Sequence, residues 1–225
     1  MYKLTTVLIS LILSLPFCAE KPNDPVKLIR DKDTELQKLL KQNTKPGSKE
    51  RREKLKTLIN GIFDFEQMAK KSLSTTTYDG LSNEQKKQFE TSFKAMIENT
   101  SLKKLEVYRS DSTRYEEPIY KKEGKEAHIT AHTFFDGQES IIVYKLFQKK
   151  NQWRGWDLVI DDLHTTRNYK RMFKKILEKK TFEDLIALLD KKATDEDKED
   201  KNSPEKQSKQ SKKAPVKKEA IKKGK

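Results

Sequence analysis

Residues 151–177, NQWRGWDLVIDDLHTTRNYKRMFKKIL, decide the fold because a strand pattern passes directly into a helix pattern. The segment Trp153–Leu163 is rich in aromatic and β-branched side chains, which is typical of a half-buried strand. In Tyr169–Leu177 the apolar residues recur at helical spacing. The stretch therefore predicts the last strand of a sheet, at Gly155–Asp161, followed by a packing helix at Arg167–Lys180.

Further strands are predicted before this stretch. Alternating patterns cover Glu126–Phe134 and Glu139–Gln148, and Asp136-Gly137 between them is a strong signal for a tight hairpin. The segment Leu105–Tyr120 is ambiguous but favours a strand. Together these segments predict an antiparallel meander and hence an α+β domain.

Helices are predicted on both sides of the meander, and capping residues mark their starts. Apolar residues at helical spacing follow each start, as Phe89, Phe93 and Ile97 do in the fourth helix. The predicted starts are Asp24-Pro25 for a helix over 23–42, Ser48, Asp64 with Gln67, Ser82 with Gln85, and Thr181 with Asp184 for the final helix.

Two segments resemble the MlaC or toluene-tolerance family of periplasmic phospholipid-binding proteins. In that family a Tyr-Asp-Val-x-Ile-Glu-Gly-Val-Ser strand leads into an Asn-Tyr-Arg-x-x-Phe helix. Two positions depart from the pattern, because Asp162 replaces a glycine and His164 replaces a serine. The matching residues are Trp156, Asp157, Leu158, Ile160, Asp161, Leu163, Asn168, Tyr169, Lys170 and Phe173.

The second segment lies about 90 residues earlier in the chain. Residues 62–68, IFDFEQM, are similar to the family's Phe-Asp-Phe-x-x-Met, although Leu73-Ser74 and Tyr78 stand where Leu-Gly and a tryptophan usually follow. Residues 81–85, LSNEQ, are similar to the family's Leu-Thr-Pro-Glu-Gln. The resemblance covers roughly Asp24–Lys192, and we define residues 20–192 as the lipid-binding domain that it predicts.

The resemblance implies an NTF2-like fold, in which a curved antiparallel sheet of about four strands packs against several helices. It also implies a deep pocket for phospholipid acyl chains, whereas the pattern alone indicates core residues and cannot distinguish a filled core from a lined cavity. We assign faces by assuming uninterrupted strand alternation. The candidate lipid-binding residues are Phe63, Met68, Phe89, Phe93, Ile97, Tyr144, Leu146, Trp156, Leu158, Ile160, Leu163, Tyr169 and Phe173.

The N-terminus is typical of an exported protein. Residues 1–19 contain Lys3, an apolar run over Leu4–Leu15 and a processing region, and this run is shorter than the ~20 residues that span a membrane. Cys18 is the single cysteine and cannot form a disulfide within the chain. It could be acylated, as in a bacterial lipoprotein, or be discarded with the signal. The sequence predicts periplasmic export with a possible lipid anchor at Cys18.

The C-terminal residues 193–225 have the composition of a disordered, Lys-rich tail. Ten lysines and two glutamates in 201–225 account for +8 of the formal net charge of +14. Because the basicity is concentrated in a tail of an exported chain, we expect no nucleic-acid partner. The tail could approach an anionic membrane surface or only aid solubility.

Few residues are candidates for catalysis or metal binding. His128 and His132 lie in a strand pattern, where four residues span about 13 Å, so one ion cannot readily bind both. The cluster Asp161-Asp162-x-His164 could support acid–base chemistry, but we favour the simpler interpretation of a polar strand end and helix start. No nucleophile elbow, phosphate-binding glycine loop, zinc-protease motif or Cys-x-x-Cys motif occurs. We predict no catalysis, metal or cofactor; an enzyme would need a pocket acid such as Asp157, Asp161 or Glu139.

The resulting prediction is a periplasmic carrier that shuttles phospholipid between the outer and inner membranes. By implication of the resemblance, its partners are an inner-membrane ABC transporter with its substrate-binding MCE subunit, and an outer-membrane lipoprotein or porin complex. The alternative is a surface or periplasmic lipoprotein that binds anionic polymers through its basic tail.

Overall fold

The computed structural model describes residues 24–42 and 45–194, which form seven helices and six strands. The helices are α1 Pro25–Lys41, α2 Lys49–Ile62, α3 Phe65–Lys71, α4 Thr75–Asp79, α5 Asn83–Val107, α6 Thr165–Leu177 and α7 Phe182–Thr194. The strands are β1 Ser112–Tyr115, β2 Ile119–Lys121, β3 Glu126–Phe135, β4 Gln138–Lys149, β5 Gln152–Ile160 and β6 Leu163–His164.

All strand pairs are antiparallel and form one curved, open sheet of order β1-β3-β4-β5-β6. Strand β2 also pairs with β3, so β1 and β2 share one edge of the sheet. The predicted α+β class with an NTF2-like sheet is confirmed. The sheet has six strands where about four were expected, because β2 and β6 are only three and two residues long.

The central hairpin forms as its turn residues predict. Asp136 and Gly137 both have positive φ, at 49° and 70°, which is the backbone conformation that a tight two-residue hairpin turn requires. Strands β3 and β4 pair without interruption from Phe135↔Gln138 to Glu126↔Phe147. The turn therefore sets the register of the longest strand pair in the sheet.

The expectation of strand structure from Leu105 onward is wrong for its first residues. Helix α5 continues through Val107, and the next strand, β1, begins only at Ser112. Leu102 is 1% exposed and Leu105 packs against the same helical cluster. The apolar face of α5 that begins at Phe89 thus stays buried as far as Leu105, and the helix continues with it. Packing of this face stabilises the helix more than the weak local preference of the segment favours a strand.

The predicted helix starts carry the expected caps. Ser82 and Gln85 form a complete capping box. The box expected at Asp64 and Gln67 is half formed: the Asp64 carboxylate accepts a 2.8 Å hydrogen bond from the Gln67 amide, but the Asp64 amide donates to the Gly155 carbonyl. At α7, the Asp184 amide donates to Thr181 Oγ1 and the Thr181 amide donates to the Asp184 carboxylate. These bonds satisfy backbone N–H groups that a helix start leaves unpaired.

Two hydrophobic clusters hold the domain together. The larger one, here called the helical core, joins side chains of all seven helices. The smaller one, here called the sheet core, joins Ile29 of α1 to Ala127, Ile129, Leu146 and Trp153 of the sheet. Because α1 and α2 also pack on each other, they connect the two clusters.

Several predictions concern residues outside the described part of the chain. The predicted signal peptide 1–19, Cys18 with its possible acylation, and the tail from residue 195 onward all lie there. Ala193 and Thr194, the first residues assigned to the tail, belong to α7. Within 24–42 and 45–194, no helix is long and apolar enough to cross a membrane.

Candidate functional site

The two faces of the sheet differ in burial, and β3 shows the difference directly. Ala127, Ile129, Ala131 and Thr133 are all at most 5% exposed, while the residues between them are half-buried. Alternate residues of a strand point to opposite faces. We call the face that carries these four residues the inner face, and the opposite one the outer face.

One end of the inner face is closed by helices. Ile29 of α1 packs with Ala127, Leu146 and Trp153 in the sheet core. Next to Leu146 stands Gly155, where an added Cβ would lie 2.7 Å from the Phe63 ring. Glycine at this position therefore lets the α2–α3 connection approach the strand closely.

Beyond Leu146 and Gly155, the inner face of β4, β5 and β6 carries apolar side chains that are only half-buried. Register places Ile129, Tyr144 and Leu158 side by side across three strands, and Ala131, Ile142, Ile160 and Leu163 in the adjacent line. Ile142, Leu158, Ile160 and Leu163 are half-buried and belong to neither hydrophobic cluster. We call the set Ile142, Tyr144, Leu158, Ile160 and Leu163 the open row.

A β-bulge separates Trp156 from the open row. The register between β4 and β5 shifts between Lys145 and Leu146, so that β5 has one extra residue there. The Trp156 ring lies 5.4 Å from Lys71 Nζ and 5.3 Å from Lys145 Nζ. Lys145 pairs with Asp157, on the face opposite Leu158. The bulge therefore breaks the strand alternation that we assumed from the sequence, and it places Trp156 toward the outer face.

A group of tyrosines and charged residues borders the open row on its β1 side. The Tyr115 hydroxyl donates a 2.9 Å hydrogen bond to the Asp33 carboxylate of α1, and the Arg30 guanidinium lies 5.5 Å from the Tyr115 ring. Burial raises the pKa of Tyr115 and of Tyr144, and the negative charge of Asp33 raises both further. Both phenols are therefore neutral donors at physiological pH.

Most of the predicted aromatic residues pack in the helical core rather than on the sheet. Phe89, Phe93 and Phe173 are 0% exposed and Tyr169 is 9% exposed. Their ring centroids lie 5.5–6.1 Å apart in stacked, tilted and edge-on contacts, within the range of favourable aromatic pairs. Met68 and Ile97 are buried in the same cluster and Phe63 lies at its margin.

The structure thus divides the predicted lipid-binding residues into separate groups. Leu146 is buried in the sheet core, with Tyr144 packed against it. Leu158, Ile160 and Leu163 form the open row together with Tyr144 and with Ile142, which our sequence reasoning missed. Ile142 could have been predicted from the Asp136-Gly137 turn. A two-residue turn there pairs Phe135 with Gln138, and the same register pairs Ala131 with Ile142.

The acidic residues near His164 stabilise the connection between β5 and α6. Asp157 is 1% exposed; its carboxylate accepts 2.9 Å and 3.1 Å hydrogen bonds from the Thr166 amide and His164 Nδ1, and lies 3.4 Å from Lys145 Nζ. It therefore fixes the start of α6 against β5. Asp161 and Asp162 occupy a tight turn with φ of 47° and 66°. Asp162, which stands where the family pattern has a glycine, thus adopts a left-handed backbone conformation that aspartate tolerates.

The remaining histidines lie on the outer face. His132 bridges two carboxylates, 2.6 Å from Glu116 and 2.5 Å from Glu139, and these hydrogen bonds raise its pKa. Burial lowers the pKa of His128, with the charges of Lys121 and Lys145 adding to the effect. Among the residues that the structure describes, no three His, Cys, Asp or Glu side chains are grouped so as to hold a metal ion.

Comparisons with known proteins agree with this architecture. A solved structure of a phospholipid-binding protein from Ralstonia solanacearum, in complex with a phospholipid, matches with a TM-score of 0.63 at 17% sequence identity. The match covers 76% of this chain and 97% of that chain, and it establishes the fold. No curated protein matches the sequence.

The family comparison tests the resemblance noted in the sequence. The model of the MlaC protein family matches residues 30–191, which include both resembling segments and well over half of the chain. The resemblance is therefore confirmed. The chain belongs to the MlaC protein family.

Proposed function

We propose that this protein binds a phospholipid with its acyl chains against the open row and carries it, without catalysing a reaction. The observation that carries the proposal is the open row itself, five half-buried side chains on the inner face of which all but Tyr144 belong to neither hydrophobic cluster. The phospholipid in the similar Ralstonia solanacearum structure supports the choice of ligand.

The physical reason is the free energy of burying hydrocarbon. Each CH₂ group removed from water contributes roughly 0.8 kcal/mol, so two chains of about 16 carbons gain on the order of 25 kcal/mol gross. A lipid held this way dissociates into water extremely slowly. A carrier therefore needs an opening through which the chains pass directly to an acceptor, and the half-buried state of Ile142, Ile160 and Leu163 supports such an opening.

Tyr144 offers the one polar group among the five side chains of the open row. Burial raises the pKa of its hydroxyl and keeps it protonated. A neutral phenol can donate to an ester or phosphate oxygen of the lipid. We propose that Tyr144 orients the polar end of the ligand, while the four aliphatic residues of the open row contact the chains.

We further propose that the protein works in the periplasm between two membrane systems. The donor and acceptor would be an inner-membrane ABC transporter with its MCE subunit and an outer-membrane lipoprotein or porin complex. Family membership supports this assignment. A binding protein of this kind needs no cofactor, and Asp157, Asp161 and Glu139 need only their structural hydrogen bonds.

Adjacent residues of β4 provide a matched test of the proposal. Ile142 belongs to the open row, whereas Ile141 is 42% exposed and points to the outer face. We expect native mass spectrometry of the purified protein to detect one bound phospholipid in the wild type and in Ile141→Asp. The lipid should be lost in Ile142→Asp, because a carboxylate cannot be desolvated against acyl chains.

A second variant controls for the case in which Ile142→Asp loses lipid because it misfolds. Ile142→Trp keeps the site apolar but fills space along the open row, so it should reduce lipid content while circular dichroism stays unchanged. Equal lipid content in Ile141→Asp, Ile142→Trp and wild type, or a wild type that cannot be loaded with any phospholipid, would overturn the proposal.

A further inference from the structure

The exposed face of α6 is a continuous stripe of positive charge. Its five exposed side chains beyond Thr166 are all cationic, and the helix contains no acidic residue. They recur at three- and four-residue intervals, so they share one side of the helix. The stripe consists of Arg167, Lys170, Arg171, Lys174 and Lys175.

Four lysines of two other helices are paired with carboxylates of their own helix. On α1 and α2, Lys27, Lys32, Lys54 and Lys56 each form an ion pair with a carboxylate three or four residues away. On α6 the one such contact is at the far end, where Lys174 lies 4.0 Å from Glu178. The charge of the stripe is therefore largely unneutralised by α6 itself.

The position of the stripe relates it to the open row. Strand β6 carries Leu163 beside Ile160 and leads directly into α6, with three residues between Leu163 and Arg167. Asp157, which neighbours Leu158 in β5, fixes the first turn of α6 by accepting from the Thr166 amide. The stripe thus starts four residues after Leu163 of the open row, and the Asp157 carboxylate holds the start of α6 to β5 from the outer face.

We infer that the α6 stripe docks on an anionic phospholipid membrane and so brings the open row to the lipid surface. The inference rests on the proposed lipid binding. A membrane fits better than a compact acidic ligand because the five cations lie along one side of a helix, where an extended anionic surface can face all of them at once. Basic side chains gain free energy near an anionic bilayer, and the attraction is screened within about 8 Å at physiological salt.

The stripe can be tested against an equal loss of charge elsewhere. The stripe variant carries Arg167→Gln, Lys170→Gln, Lys174→Gln and Lys175→Gln, and it spares Arg171, which holds Asn168. The control variant carries Lys38→Gln, Lys41→Gln, Lys45→Gln and Lys49→Gln, four exposed lysines of α1, the following loop and α2. Both variants lose four charges, two of them in the last turn of a helix, and both retain the full C-terminal tail.

The measurement is flotation of the full chain with vesicles of phosphatidylcholine containing about one third phosphatidylglycerol. We expect the stripe variant to bind at least about tenfold more weakly than the control and the wild type. Binding of the wild type should fall in 0.5 M salt and on pure phosphatidylcholine vesicles. Equal flotation of stripe and control variants, or equal binding to neutral vesicles, would overturn the inference.

Lipid content, measured on the same samples by native mass spectrometry, separates this inference from the proposed function. The stripe variant should retain its phospholipid, because none of its substitutions lies in the open row. Loss of lipid from wild type and variants alike would refute the proposed function, whereas lipid-loaded variants that float equally would refute only the docking role of α6.

Discussion

The helical core and the open row are both apolar and both come from elements with clear periodicity, yet they end in different environments. Phe89, Phe93 and Phe173 are fully enclosed by one another and by neighbouring helices. Leu158 and Ile160 stay half-buried and belong to neither hydrophobic cluster. An apolar side chain in a periodic pattern therefore predicts burial. Its neighbours in the fold decide whether other protein side chains or a bound ligand cover it.

The largest difference between the two regions should appear in stability. Phe173→Ala removes a fully buried ring and should lower the free energy of unfolding by about 3–5 kcal/mol. Leu158→Ala removes a half-buried side chain and should cost about 1 kcal/mol in the lipid-free protein. Urea denaturation of both variants, after lipid extraction, checks the contrast. Equal losses would mean that the open row is an ordinary part of the core.

An intermediate effect should mark the boundary between the closed and open parts of the inner face. Gly155→Ala places a Cβ 2.7 Å from the Phe63 ring, so the α2–α3 connection must move away from β5. We expect a loss of about 1–3 kcal/mol in urea denaturation. The double variant Gly155→Ala with Phe63→Leu should recover part of it. If Gly155→Ala were as stable as the wild type, Phe63 could move away from β5 without cost and the prediction would be wrong.

The smallest effect concerns the outer face, where titration should leave the lipid site unchanged. Hydrogen bonds to Glu116 and Glu139 raise the pKa of His132 above its ordinary value near 6.5. The stabilisation is therefore fully present below about pH 6.5 and is lost as pH rises through the raised value in the folded state. Urea midpoints from pH 6 to 9 should fall more steeply for the wild type than for His132→Gln, with equal lipid content in both proteins. Parallel pH profiles would contradict this.

Local sequence was a good guide to the elements that short-range chemistry dictates. The Asp136-Gly137 turn, the capping boxes at Ser82 and Thr181, and the passage from strand into helix after Leu163 all follow from nearby residues, and all are present. The motifs around Phe63 and Trp156 were also sufficient to indicate the family. Leu105 was misassigned because its helical state depends on burial against distant helices rather than on its neighbours in sequence.

The lipid-facing residues could be predicted only in part, for two physical reasons. Periodicity gives the same signal for Phe93, which other aromatic rings enclose, and for Ile160, which they do not reach. The bulge at Trp156 then reverses the strand alternation, and an extra residue of this kind is visible only when both strands are placed.

The sequence by itself determined the order of the longer helices and strands, the hairpin register and the family, because turns, caps and apolar periodicity act over a few residues. Only the tertiary structure decided which apolar side chains remain open, where Trp156 points, and that the cations of α6 form one stripe beginning beside Leu163. These features depend on contacts between segments far apart in the chain, and no local pattern encodes the packing of one element on another.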